Sequence, residues 1–497
     1  MSLILKNAPV FFVVFPLFIA VLLPTLSRKI RLVEFLVAFV GSVSFIGALF
    51  FAVKVLAQNG APMVYALGGV SAPWGIELKV DALSAFFILV VTGVSFPISL
   101  FGFNNLSNEL GGEKNTARFY TLYLLLIGSL CGMALTNDMF NIYVLVEVAT
   151  LSCCGLVSAK KSPQAAKAAF SYLILASIGS ALILGGIGFI YILTGHLNMD
   201  FANLQLLEVW QESPQIVWMA FSFMLVGFGV KTALFPLHIW LPDAHSSAAA
   251  PASAILSGLA VKGYLICLLK VLYNIFGTTI MLNLMFQKIL IVLGMTAIIG
   301  GSLLAIMQDE LKRRLAYSTV AQIGYLYIGL GLVNKRGFAG LLLYLAGHAI
   351  CKSILFLSSG AIIKETGKHR VSELSGIGRQ MPITMAAFSI ATLGLIGIPL
   401  FSGFIGKWNL IAGSLEAGEK LPVVVIILGS VLCAAYLLPI IRKAYFSLPK
   451  EKGITDPPVL QKASLIILMV LALAFGFFPD ELVCLAQKAA TQIMSLY

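Results

Sequence analysis

The sequence predicts an all-α polytopic membrane protein with about fourteen transmembrane helices. Of its 497 residues, 59% are hydrophobic and 11% are charged, whereas soluble domains carry roughly 25% charged residues. Apolar runs long enough to cross a bilayer, which takes about 20 residues, recur from Ala8 to Phe478. No hydrophilic segment between them is long enough for a soluble domain. The chain is therefore solvated mainly by lipid.

The predicted spans are separated by polar connections, the longest near 58–78, 194–213, 364–381 and 447–461. No small-residue cleavage site follows the first apolar run, so we expect a retained helix rather than a signal peptide. The fourteen spans are 8–25, 32–57, 80–103, 118–135, 138–158, 165–193, 214–240, 249–273, 281–306, 313–333, 337–363, 382–413, 422–446 and 462–478.

The basic residues that give the net charge of +12 are placed according to membrane topology and do not form a nucleic-acid-binding patch. With the N-terminus outside, cytoplasmic loops hold 20 of the 33 basic residues and the opposite loops hold nine. The positive-inside rule then places both termini outside, in a multi-pass protein of the cell membrane. Lys270 is counted among the outer loops and Lys312 among the cytoplasmic loops. Four lysines remain inside apolar helices: Lys231, Lys262, Lys352 and Lys407.

Glu147 lies midway along a fifth apolar segment, "NIYVLVEVATLSCCGL". A charge at mid-bilayer costs at least about 2.5–3.5 kcal/mol, and it persists where charges pair or line a water path. Glu147 and the four lysines are therefore predicted to form a set of compensating charges that moves protons, since buried lysine can be neutral or charged near pH 7. The alternatives are a structural Glu147–Lys231 pair and snorkelling of Lys352 to an interface. A buried pair seldom adds net stability over well-packed apolar residues.

Three histidines accompany these charges. His348 and Lys352 are four residues apart, which places them on one helix face; His348 is predicted to relay protons or simply to pack. His238 and His245 are candidates for a route of proton uptake. His245, with Ser246 and Ser247, could instead cap the helix that begins near Pro251. His238 and His245 do not form the HExxH pattern, and no third ligand is evident. The sequence therefore predicts no metal site.

Two helices should be broken, and this suggests a repeat. "GFGVKTALFPLHIWLP" is expected to break between Lys231 and Pro236, and "TLGLIGIPLFSGFIGKWNL" has five helix-breaking residues before Lys407. Paired interrupted helices in two halves of a chain indicate an ion path. We predict helices 1–3 in residues 1–117, two inverted five-helix repeats in 118–275 and 276–447, and a C-terminal helix in 448–497.

The segments "NIYVLVEV", "VKTALFPLHIWLPDAHSSAAAPASAILSGLAVKGYL" and "GHAICKSILF" resemble the antiporter-like subunits shared by Mrp-type Na⁺/H⁺ antiporters, respiratory complex I and membrane-bound hydrogenases. The resemblance covers nearly the whole chain, and size and motifs are most similar to the Mrp D subunit. It implies fourteen helices with inverted repeats and a glutamate–lysine pair beside a central lysine, matched by Glu147, Lys231 and Lys262. Lys407 matches the terminal ionisable position on the second broken helix.

The resemblance also implies partners and a mode of action. It implies a subunit that conducts H⁺, with Na⁺ as a second candidate ion, beside other membrane subunits. These partners would be the A, B, C, E, F and G types in an antiporter, or redox subunits in a complex I-like or hydrogenase assembly. The sequence contains no Gly-rich nucleotide loop, cluster motif or haem pair, so we expect no cofactor and no enzymatic chemistry in the chain itself. The competing functions are a purely structural membrane subunit and an independent carrier of an organic solute.

Overall fold

A computed structural model describes residues 2–57, 62–449 and 453–494. These residues are almost all helical, which confirms the predicted fold class. The first half of the chain contains α1 (Ser2–Leu22), α2 (Ile30–Ala57), α3 (Ala82–Gly102), α4 (Leu106–Leu110), α5 (Glu113–Leu135), α6 (Met139–Ser158), α7 (Pro163–Thr194), α8 (Met199–Val209), α9 (Pro214–Lys231), α10 (Trp240–Ser247), α11 (Ala250–Ile255), α12 (Val261–Lys270) and α13 (Gly277–Asn283). The second half contains α14 (Phe286–Ile306), α15 (Leu311–Gly331), α16 (Lys335–Thr366), α17 (Ile377–Gln380), α18 (Pro382–Ile396), α19 (Ser402–Glu416), α20 (Lys420–Phe446), α21 (Val459–Phe477) and α22 (Asp480–Met494).

Within the described ranges, twelve helices are long and apolar enough to cross a membrane. The other two predicted spans differ from these for separate reasons. The span predicted at 313–333 coincides with α15, which contains many polar residues. The span predicted at 382–413 is divided into α18 and α19, each too short to cross alone. The chain is therefore a multi-pass membrane protein, and the count of fourteen stays a prediction.

The predicted polar connections contain ordered structure that the sequence pattern did not reveal. Strands β1 (Met63–Ala66) and β2 (Glu77–Val80) form an antiparallel hairpin, and Gly68 and Gly69 provide the positive φ angles where the connection between them begins. Helix α8 lies in the connection predicted at 194–213, and α22 follows the last predicted span. Lys79 of the hairpin pairs with Asp200 of α8 at 2.9 Å. Loops at this end of the molecule are thus fixed to each other.

Both predicted helix breaks are present. Helix α9 ends at Lys231, and the chain does not become helical again until Trp240. Helix α18 ends at Ile396, and α19 begins at Ser402. Gly397 has a φ of 87°, and a Cβ there would lie 2.9 Å from the Lys407 side chain. Glycine is required at this break because it permits the backbone turn and leaves space for the lysine.

Helices α11 and α12, with the segment that follows each of them, form one continuous helix from Ala250 to Phe276 in the centre of the molecule, and α13 extends it beyond a backbone break at Gly277 (φ 69°, ψ 167°). Two of its segments, Leu256–Ala260 and Val271–Phe276, are wound as π-helix. Single π turns inside α-helices are frequent at functional sites. This helix and α16 are almost wholly buried, whereas α1, α2, α20 and α21 are exposed along much of their length.

The packing of the two broken helices is similar. Helix α7 packs on α9 and α10, and α16 packs on α18 and α19. An unbroken helix thus supports a broken one in each half of the chain, and the inverted relation between the halves stays a prediction. The boundaries predicted for the four regions, 1–117, 118–275, 276–447 and 448–497, stay predictions.

Candidate proton-conducting site

The first buried cluster is built around Lys231, whose side chain is fully buried. Its Nζ donates to Glu147 Oε1 at 3.2 Å and to Thr150 Oγ1 at 2.7 Å. The Ser180 hydroxyl contacts both Lys231 and Glu147. Glu147 and Thr150 lie on α6, and Ser180 lies on α7. Three helices therefore place one ammonium, one carboxylate and two hydroxyls within hydrogen-bonding distance.

The break in the helix gives Lys231 its position. Lys231 is the last residue of α9, and the indole of Trp240 on the far side of the break donates to the Val230 carbonyl at 2.9 Å. Trp240 stacks on Tyr172 of α7 with ring centroids 4.2 Å apart. The backbone at the end of α9 is thus bonded and packed by protein groups, as expected for irregular backbone at membrane depth.

Glu147 lies at the edge of this cluster rather than in its interior. About 30% of its side chain is exposed. Phe140, Val144 and Leu151 are exposed on the same α6 face, at intervals of three or four residues that include Glu147. The carboxylate therefore has Lys231 on its inner side and an apolar outer surface around it.

Lys262 lies immediately after the first π segment and is fully buried. Its ammonium donates to the Ser257 carbonyl of that segment, and the Ser257 hydroxyl is 2.8 Å from Thr319 Oγ1. Tyr264, two residues further on, has its hydroxyl 3.3 Å from Thr150 Oγ1 and its ring 5.8 Å from Lys231 Nζ. Tyr264 thus links the helix of Lys262 to the first cluster.

His348 and Lys352 are both buried on α16, as the four-residue spacing predicts. Lys352 donates to the Leu315 carbonyl at 2.8 Å and to the Ser318 hydroxyl. Its side chain is held in the protein interior, so the snorkelling alternative is wrong. Neither ring nitrogen of His348 has a hydrogen-bond partner among the described residues. Both interpretations of His348, as a relay and as a packing residue, stay predictions.

Lys407 lies at the second break. Its Nζ donates to the carbonyls of Leu395 and Ile396, at 2.8 and 3.1 Å, and to Ser430 Oγ at 2.9 Å. Leu395 and Ile396 are the last two residues of α18, where unpaired carbonyls and the helix dipole favour a cation. The ammonium also lies 4.6 Å from the centre of the Tyr325 ring. Lys407 therefore caps the half-helix that precedes its own.

His348 lies among the second group of charges. Lys262, Lys352 and Lys407 all act on it electrostatically, and its ring is parallel to that of Tyr344 at 6.1 Å. The structure therefore brings the predicted residues into two neighbouring groups, one of Glu147 and Lys231 and one of Lys262, His348, Lys352 and Lys407. Tyr264 lies between the two groups.

The two uptake candidates have different surroundings. His238 lies in the broken segment, is 7% exposed, and packs against Phe235 and Tyr317. His245 is fully buried on α10 and stacks on Phe356 at 4.5 Å. The capping interpretation of His245 is wrong because α11 has no side-chain cap. Pro251, in the first turn of α11, has no amide hydrogen, so one backbone donor fewer needs a cap there.

The same serines do not cap α11 either. Ser246 and Ser247 donate back to the Asp243 carbonyl inside α10, at 3.2 and 2.7 Å. The His245 carbonyl, rather than its ring, contacts α11 by accepting from Ser253 Oγ at 3.0 Å.

Two further buried lysines were assigned to loops by the sequence, and the structure corrects both. Lys270 is 3% exposed and donates to the carbonyls of Ala134 and Thr136 at the end of α5. Lys312 is 4% exposed and donates to the Ala248 carbonyl at 2.9 Å. Lys312 lies at the start of α15 and Lys270 lies inside the central helix. A single sequence cannot distinguish a lysine side chain in water from one that caps a neighbouring helix.

The described part of the chain contains no group of three or more His, Cys, Asp or Glu side chains placed to hold a metal ion. All seven cysteines are free. Five are buried, Cys154 is partly buried, and Cys484 is exposed.

Comparison with known proteins identifies the family. Residues 136–433 match the model of the "NADH:quinone oxidoreductase/Mrp antiporter, TM" family. The match spans more than half of the chain and includes every candidate residue named above. The chain belongs to this family. The resemblance inferred from the sequence motifs is therefore confirmed.

Individual relatives include subunits of both kinds of complex. NADH-quinone oxidoreductase subunit N of Desulforudis audaxviator is 37% identical over 461 residues, covering 91% of this chain and 89% of the relative. The putative antiporter subunit mnhD2 of Staphylococcus aureus is 28% identical over 481 residues, covering 95% and 93%. A chain of the membrane-bound sulfane sulfur reductase, an archaeal respiratory membrane complex, superposes with a TM-score of 0.90 at 28% identity, covering 98% of both chains.

Proposed function

We propose that this chain conducts protons through Glu147, Lys231, Lys262, His348, Lys352 and Lys407, as one subunit of a multisubunit Na⁺/H⁺ antiporter. The observation that carries the proposal is the geometry of the buried charges. Each lysine is fully or almost fully buried, and each is hydrogen-bonded by protein groups. Such intramembrane groups are expensive and typically mark ion pathways.

The contacts of the lysines favour proton exchange rather than fixed charge. Hydroxyl groups, which both donate and accept, touch Lys231, Lys352 and Lys407. Lysine releases its proton far more readily than arginine. The Glu147 carboxylate stabilises a proton on Lys231. If the Glu147 charge moved away, Lys231 would release that proton towards Tyr264 and Lys262. The flux would then continue past His348 to Lys352 and Lys407.

The exposed edge of Glu147 supports a role inside a larger complex. A carboxylate facing lipid is costly, yet 30% of this side chain is exposed beside apolar Phe140, Val144 and Leu151. We propose that a neighbouring subunit covers this face and that its charges control the Glu147–Lys231 pair. The relatives are themselves named as subunits. The chain would then be a transport component without a cofactor or catalytic chemistry of its own.

We further propose that the complex lies in the cell membrane with both termini of this chain outside. The support is the concentration of basic residues in loops on one side. Sodium would be the exchanged ion, carried by this chain or by a neighbouring subunit.

A second candidate is the corresponding ion-pumping subunit of a redox complex. The specific observations that favour it are the 37% identity to a quinone oxidoreductase subunit and the similarity to a chain of the archaeal reductase complex. The proton route would be the same and the driving reaction would differ. Sodium-driven proton flux in vesicles that lack quinone and electron donors would support the antiporter, whereas flux that requires electron transfer would support the redox complex.

The proposal is tested by Lys231→Ala in the complete complex, reconstituted in proteoliposomes with a pH indicator inside. We expect proton flux to fall roughly 100-fold or more, as for removal of a proton-transfer group, while the complex still assembles. Lys288→Ala is the matched control, because the Lys288 side chain is 63% exposed, and it should keep full flux. Wild-type flux in Lys231→Ala would overturn the proposal.

A further inference from the structure

A cavity of about 340 Å³ opens at one end of the helix bundle. The loops around it are those that the positive-inside rule predicts to be cytoplasmic. Three lysines line it: Lys160, Lys312 and Lys364. Gln461 also lines it, is 1% exposed, and has no hydrogen-bond partner for either amide atom among the described residues. The cavity is thus polar where it meets the buried part of the bundle, and its walls can hold water.

Lys312 forms the inner wall of this cavity. It is 4% exposed, and its Nζ donates to the Ala248 carbonyl at 2.9 Å. The charged groups that act on it are Lys160, Glu109 and Glu310. Glu109 is paired with Lys160 at 2.7 Å across the mouth of the cavity. Lys312 therefore contacts the cavity on one side and the end of α10 on the other.

His245 lies three residues before Ala248, whose carbonyl accepts the hydrogen bond from Lys312. Its ring is fully buried, and both ring nitrogens lack a hydrogen-bond partner among the described residues. Three lysines act on it electrostatically: Lys312, Lys262 and Lys352. Of these, Lys312 borders the cavity, while Lys262 and Lys352 belong to the buried site. The Phe356 ring stacks on His245 with centroids 4.5 Å apart and has Lys352 Nζ 5.9 Å from its centre. His245 is thus close in the fold both to the lysine that borders the cavity and to a lysine of the buried site.

We propose that protons reach the buried site from this cavity by way of Lys312 and then His245. The inference rests on the proposed function and assigns its point of uptake. The Lys312 ammonium releases a proton to a ring nitrogen of His245, and cavity water returns one to the neutral amine. The imidazolium then passes its proton to neutral Lys352 or Lys262. His238 takes no part in this route.

The first test compares Lys312→Arg with wild type in the reconstituted complex. Arginine keeps the positive charge and can bond the Ala248 carbonyl, but it does not release its proton. We expect proton uptake from the cavity side to fall at least tenfold. Lys270→Arg is the matched control, because Lys270 is an equally buried lysine bonded to helix-end carbonyls away from His245, and its uptake should be unchanged.

Wild-type uptake in Lys312→Arg would overturn the proposed route. Measuring Lys231→Ala in parallel separates the two proposals. If Lys231→Ala is inactive while Lys312→Arg is fully active, only the uptake route fails. If Lys231→Ala keeps full flux, the proton-conducting function itself fails.

A second test does not depend on how arginine fits. In a Cys484→Ser background, Asn108→Cys places a thiol on the exposed cavity wall. Attaching a bulky, membrane-impermeant thiol reagent should lower proton uptake at least fivefold. Lys114→Cys, on the same end of the molecule and outside the cavity lining, should be labelled without effect. Unchanged uptake after complete labelling of Asn108→Cys would contradict the route.

Discussion

Removing one member of the Glu147–Lys231 pair should alter the protein differently from removing both. Glu147→Gln leaves the buried Lys231 ammonium without the carboxylate 3.2 Å away. Breaking a buried pair in this way costs about 3–5 kcal/mol. Because 30% of the Glu147 side chain is exposed, we expect the lower end of this range, about 3 kcal/mol of unfolding free energy.

The double variant Glu147→Gln, Lys231→Met should recover most of that stability, since exchanging a buried pair for uncharged residues is often neutral. The nearby hydroxyls stay satisfied, because Thr150 also donates to the Val146 carbonyl at 2.7 Å and Ser180 to the Ala176 carbonyl at 3.0 Å. Unfolding in increasing SDS, followed on the purified complex, measures the single and the double variant against wild type.

Transport by the double variant decides between a relay and a structural pair. If the pair only holds helices together, the stable double variant should transport at the wild-type rate. If the pair carries protons, flux should fall roughly 100-fold or more despite restored stability. A double variant that is both stable and fully active would refute the reasoning.

The remaining predictions concern Lys407 and the packing of the second half. Lys407→Met should remove the cap from α18 and destabilise the complex by about 1–3 kcal/mol. Lys407→Arg should keep the melting temperature of the complex and still lose proton flux. Full flux in Lys407→Arg would show that only the positive charge at this position is needed. Gly294→Ala should cost about 1–3 kcal/mol through overpacking, because its Cβ would lie 2.6 Å from the Gly324 carbonyl oxygen. The melting temperature of the complex measures this, with Gly188→Ala as the control, since a Cβ at Gly188 meets nothing within 4 Å.

The helices and their breaks could be predicted because lipid imposes a strong pattern on the sequence. Long apolar runs define the spans, and Pro236 and Gly397 mark positions where a helix cannot continue. The β1–β2 hairpin was not predicted, because each strand has only four residues and offers too short a pattern. Helix α22 mixes apolar and polar residues, so no apolar run identifies it.

The candidate site was predictable where a charge interrupts an apolar run, as at Glu147 and Lys231. It was not predictable at helix ends. Lys312 is the second residue of α15 and belongs to a basic triplet that resembles a cytoplasmic loop. Only the fold shows that its side chain turns inward to the Ala248 carbonyl. Contacts across the bundle, such as Tyr264 with Thr150, likewise have no signal in a single sequence.

The central claim is that buried lysines exchange protons and do not merely supply positive charge. Lys262 tests it most directly, because it is fully buried and its ammonium donates to the Ser257 carbonyl of the π segment. Proton flux should be measured in proteoliposomes containing the complete complex with Lys262→Arg, which keeps the charge but does not release its proton. The account predicts assembly at wild-type levels with flux lowered roughly 100-fold or more. Wild-type flux from the arginine variant would contradict it.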